Sequence, residues 1–160
     1  MFDRESDTTG SAFCELCVQL FALAVIAGCS ARTAAPAALE PSEREAIKRN
    51  ITSLGARVTS DTEEGLYLAL RNTYVDIRDT GGTVEGTYRT QQDINDFAKV
   101  NAAIAKVFLE GADNEQFAKW LRTSMTGSSR APQQADYKRL KLTLSRVPLH
   151  LIFSLNRPTT

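Results

Sequence analysis

Three cysteines stand in the first thirty residues, at Cys14, Cys17 and Cys29, and none follows. Cys14-Glu15-Leu16-Cys17 has the C-x-x-C spacing of a redox dithiol or of half a zinc site. A structural zinc takes four nitrogen or sulfur ligands, yet the one histidine is His150, far along the chain. A thioredoxin-like pair belongs beside a βαβ unit, whereas this pair runs into an apolar segment. No metal and no cofactor is therefore expected. His150 lies between Leu149 and Leu151, so on a strand it points away from the leucines. A catalytic histidine needs an acid or a nucleophile within hydrogen-bond reach. Asp76 and Asp79, with Glu85 across a presumed hairpin, are the carboxylates that could bind calcium or do acid–base work. Their spacing fits no EF-hand loop, and acids around Gly81-Gly82 are ordinary turn chemistry. The chain carries no G-x-S-x-G element, no His-Glu-x-x-His and no phosphate-binding glycine loop. No residue is expected to be catalytic, and the chain reads as a non-enzyme; a small hydrolase using His150 with a carboxylate is the competing class.

Cys29 has a different setting. From Leu16 to Ala27 the chain is a dozen mostly apolar residues, and Leu20–Ala27 is apolar without interruption. That is the length of a secretory h-region and short of the ~20 residues that span a bilayer. The run ends Ile26-Ala27-Gly28-Cys29: a branched aliphatic, a small residue, glycine, then cysteine. This ending resembles the lipobox of bacterial lipoproteins. The resemblance implies a diacylglyceryl group on the Cys29 thiol, with Ile26, Ala27 and Gly28 recognised by the signal peptidase that cuts before Cys29. The small side chains let an extended backbone enter the protease cleft, and the thiol is the nucleophile that takes up the lipid. Ser30, where an aspartate would retain the product at the inner membrane, implies an outer-membrane destination facing the periplasm in a host with two membranes. One feature departs from the pattern: Arg4 is outnumbered by Asp3, Glu5, Asp7 and Glu15 where a signal is usually basic. Two other readings therefore stay open, a signal cleaved elsewhere and an apolar helix over residues 16–29 that is buried or covered by a partner in a cytoplasmic binding or chaperone-like protein.

Acidic and basic residues balance at 19 each, but unevenly along the chain. From Lys119 onward eight cations face Asp136 alone, a net of +7. Lys138, Arg139 and Lys141 make the densest group and are the candidate surface for an anionic partner. Only Tyr137 and Phe153 accompany them, too few aromatics for a nucleic-acid platform, so no nucleic acid is expected. For an exported chain the available partners are anionic headgroups, acidic envelope polymers or an envelope protein, besides the membrane lipid reached through Cys29.

The elements that must position these residues follow from periodicity. "SARTAAPAALEP", Ser30 to Pro41, has small residues and prolines and no apolar period, which suits a tether. Ser42-Glu43-Arg44-Glu45 has capping-box spacing before a short helix carrying Ile47, Ile51 and Leu54, with Gly55 as its stop. Ala56–Ser60 is β-prone and Asp61–Gly65 a turn. Leu66, Leu68 and Leu70 alternate as in a strand, and the phase then slips to Val75 and Ile77, which places a bulge or tight bend near Arg71–Thr73 in a three- or four-stranded antiparallel meander. Asp79–Gly82 signals a hairpin. Thr90 opens a helix with Ile94, Phe97, Ile104 and Phe108 buried and Gly111 as its end. Asp113 caps a third helix carrying Phe117, Trp120, Leu121 and Met125. Thr126–Asp136 reads as a loop. Leu140, Leu142 and Leu144 alternate, and Leu149, Leu151, Phe153 and Leu155 alternate in the opposite phase around Val147-Pro148. The expected organisation is a signal peptide over 1–28, a tether over 29–41 and one α+β domain over 42–157. Its order is αβββααββ, with helices on one face of a small antiparallel sheet.

Overall fold

A computed structural model of the chain describes residues 37–156. The residues that resemble a lipobox, Ile26, Ala27, Gly28 and Cys29, together with Cys14 and Cys17, lie outside the described residues. The domain is α+β, as its periodicities require. Its elements are α1 (Pro41–Thr52), β1 (Arg57–Thr62), β2 (Gly65–Leu70), β3 (Thr73–Arg78), β4 (Gly81–Gly86), α2 (Gln91–Phe108), α3 (Gly111–Thr126), β5 (Gln133–Asp136), β6 (Leu140–Arg146) and β7 (Leu149–Leu155). All seven strands join one antiparallel sheet, in the order β1-β2-β3-β4-β7-β6-β5. A four-stranded meander and a three-stranded meander thus meet where β4 pairs with β7.

The phase slips in the sequence have one cause. Leu70 pairs with Thr73, Arg78 with Gly81, Thr62 with Gly65 and Arg146 with Leu149. Each of these four hairpins therefore turns in two residues. Paired residues share a face, so a two-residue turn moves the apolar set from even to odd positions and back. Arg71 takes the left-handed conformation such a turn needs, with φ 51°, and the Val147–Pro148 peptide is cis. Leu66, Leu68, Val75, Ile77, Val84, Leu142, Leu144 and Leu151 consequently form one apolar face, buried beneath the helices. On β4 the core side carries Gly82 and Gly86. A Cβ on Gly86 would stand 2.8 Å from Cδ2 of Phe97, and one on Gly82 2.8 Å from Cζ of Phe153. The rings of Phe97 and Phe153 fill the room the two glycines leave.

The structure differs from the sequence-based expectation at several places. The order is αββββααβββ, because Arg57–Thr62 pairs as a full strand with a bulge between Val58 and Ser60, and because Gln133–Asp136, expected in a loop, pairs with β6. The first helix starts at Pro41, with Glu40 as N-cap and Glu43 closing the capping box, two residues before the Ser42–Glu45 frame. Proline at the first helical position is pre-set for the helix, and that decides between the two frames. Gly111, with φ 49°, opens α3 instead of ending α2, so Asp113 sits in the first turn behind the N-cap Glu110. Finally, Ala37 and Leu39 pack against the core, and the Leu39 N–H donates to the Asp79 carbonyl at 2.5 Å. The folded domain therefore takes in residues assigned to the tether.

Candidate binding face

The helices cover one face of the sheet, and among the described residues nothing covers the other. Register places its side chains in cross-strand rows. One row runs Ala69, Tyr74, Glu85, His150, Ser145. The next runs Tyr67, Asp76, Thr83, Ile152, Thr143. Tyr74 and Ile152 are the large apolar groups on this face, 56% and 45% exposed. Between Tyr67, Tyr74, Asp76, Thr83 and Glu85 lies a shallow depression of about 310 Å³. Its edge is ordered by Arg78, whose Nε and Nη2 donate to the two oxygens of Asp76 at 2.7 and 3.0 Å. The same guanidinium lies 5.2 Å from the centre of the Tyr67 ring. Asp76 first, and Tyr67 with it, raises the Arg78 guanidinium's already high pKa, so the cation is permanent.

The candidate residues named from the sequence fall in three groups. His150 does point away from the leucines, onto the open face, and register sets Glu85 and Ser145 beside it. A carboxylate, an imidazole and a hydroxyl thus share one row. No hydrogen bond links them, so the nucleophile–base–orienter contacts of a catalytic triad are not made. Asp79 lies in the β3–β4 turn, where its carbonyl holds Leu39, and Asp76 is paired with Arg78. The three cations of the basic cluster separate. Arg139 turns toward α1 and binds Glu43, fastening the β5–β6 hairpin to the helix N-terminus. Lys138 and Lys141 remain exposed, and Lys141 pairs by register with Asp136. Among the described residues no cluster of His, Cys, Asp and Glu is arranged to hold a metal ion, and no helix is long and apolar enough to cross a membrane.

Sequence reasoning centred on titratable groups passed over Tyr67, Tyr74 and Ile152. The signal was the alternation itself: residues interleaved with a buried leucine series belong to the opposite face, and two tyrosines and an isoleucine there are more apolar than solvent requires. Comparisons of the chain with protein-family models, with curated proteins and with solved structures found no match.

Proposed function

We propose that the chain is a lipid-anchored bacterial envelope lipoprotein whose α+β domain binds or scaffolds a partner without catalysing a reaction. The observation that carries this reading is the apolar run ending Ile26-Ala27-Gly28-Cys29, followed by a proline-interrupted tract that leads into the domain. Two or more acyl chains hold a protein stably on a bilayer where one holds it reversibly, at about 0.8 kcal/mol per buried methylene. A diacylated Cys29 meets that requirement, and the tract after it sets the domain's reach. The domain contributes a sheet face whose tyrosines and rim charges suit a protein or polymer contact.

The test is expression in a bacterial host with labelled palmitate, followed by fractionation, for the wild type and a Cys29→Ser chain. The wild type should carry label and leave the membrane only with detergent, and the variant should carry none. An unlabelled wild type in the soluble fraction would overturn the proposal. The acids Asp3, Glu5, Asp7 and Glu15 ahead of the run favour that second outcome, a cytoplasmic binding or chaperone-like protein whose residues 16–29 are covered by a partner.

A further inference from the structure

The outer side of the helical layer carries a second depression, on the opposite side of the molecule from the open sheet face. The helices α2 and α3 are joined by Leu109 and Glu110 alone, as in an antiparallel helical hairpin. In such a hairpin Ala102 comes opposite Phe117, Ala98 opposite Leu121 and Ile94 opposite Met125, and these six residues line a trough of about 410 Å³. Phe117, Leu121 and Met125 are buried and form its floor. Alanine at 98, 102 and 118 leaves it open. From Ile94 to Ala102 the helical rise gives a length of about 12 Å, and the volume falls within the range of small-molecule sites.

The chemistry of the trough is graded. Gln91, Asn95 and Thr126 stand at one end, and Ala102, Phe117 and Ala118 at the other. Lys99 projects from one wall and Arg122 from the other. Both are exposed, neither is ion-paired among the described residues, and no acid lines the trough. An apolar floor between two unneutralised cations calls for a ligand with an apolar body and one negative head.

We propose that this trough binds a single-chain anionic amphiphile of the fatty-acid class, with its carboxylate between Lys99 and Arg122 and its acyl chain over Ala98, Ala102 and Phe117. The proposal does not depend on modification of Cys29, because every residue it uses lies in the domain.

The probe is dodecanoate below its micelle concentration, titrated calorimetrically into the full chain, with dodecanol as the uncharged comparison. One saturable site is expected, and dodecanol should bind more weakly by about tenfold or more, the loss of a charge-assisted contact. The double variant Lys99→Glu/Arg122→Glu should weaken dodecanoate by a similar factor with an unchanged melting temperature, since both side chains are exposed. The apolar run at residues 20–27 is common to both chains, so the difference between them reads the trough alone. Absence of saturable binding overturns the proposal, as does binding that is indifferent to charge reversal or equal for dodecanol. Binding to phosphatidylglycerol vesicles or to an acidic amphipathic peptide, with none to dodecanoate, overturns it in favour of a surface or protein contact. A wild-type chain unlipidated at Cys29, with the trough's binding intact, would sink the anchor and leave this site standing.

Discussion

Asp93 sits at the head of α2 with its carboxylate enclosed by donors: Asn72 Nδ2 at 2.9 Å and the Thr90 backbone N–H at 2.9 Å. The Thr90 hydroxyl accepts in return from the Asp93 N–H at 3.1 Å, completing a capping box. Beside it Arg71 reaches Asp96 at 2.5 Å, so the β2–β3 turn is tied to the helix through both of its turn residues. Asn72 foremost, then Thr90, holds the Asp93 carboxyl below the usual carboxylate range, against burial, which acts the other way. Asp61 is held low in the same direction by Lys48 and then Arg44, which bridge β1 to α1. A carboxylate depressed in the folded state stabilises the fold above its unfolded pKa and loses that contribution as pH falls through the folded value. Urea midpoints should therefore hold between pH 7 and 5 and fall below about pH 4, and Asp93→Asn should flatten that fall. Thr90→Ala should cost about 1 kcal/mol, the usual loss of an N-cap, read from the same urea curves. The opening of α2 at Thr90 was legible because the apolar series Ile94, Phe97, Ile104 and Phe108 begins one turn after it. The first helix was misplaced because Glu40–Glu43 and Ser42–Glu45 overlap, and only the position of Pro41 separates them.

The strands explain more by their turns than by their lengths. Four hairpins of two residues each keep every leucine series on one face, and the parity changes at 70–75 and 144–149 mark where the chain reverses. That much was readable from alternation. The strand β5 was not, because Gln133–Asp136 offers Ala135 as its only apolar residue and gains its place by backbone pairing with β6. Such an edge strand leaves almost no pattern in side chains. Nor was the close approach of α2 to β4 legible, since it depends on Gly86 lying under Phe97. Gly86→Ala forces that ring off its position and should cost roughly 1–3 kcal/mol, seen as a lowered urea midpoint with an unchanged slope. A loss below the error of the fit would mean that Phe97 has room to move aside.

At the scale of the whole molecule the domain presents two unlike surfaces, a sheet face bearing Tyr67, Tyr74 and Ile152 and a cation-rimmed trough between α2 and α3. Because Tyr74 is exposed, Tyr74→Ala should change stability by no more than about 0.5 kcal/mol, checked by thermal melting, so any loss of partner contact it causes is a loss of surface and not of fold. The proposed anchor rests on four residues and the run before them, a local chemical signal that needs no tertiary context. The open sheet face needed the register of seven strands, which no single stretch of sequence contains. Envelope anchoring is the claim on which the functional account turns, and the intact mass of the chain purified from a bacterial host reads it directly. A mature chain that begins at Cys29 and carries the added mass of its lipid is expected. A mass corresponding to the unmodified chain from Met1 to Thr160 would contradict it.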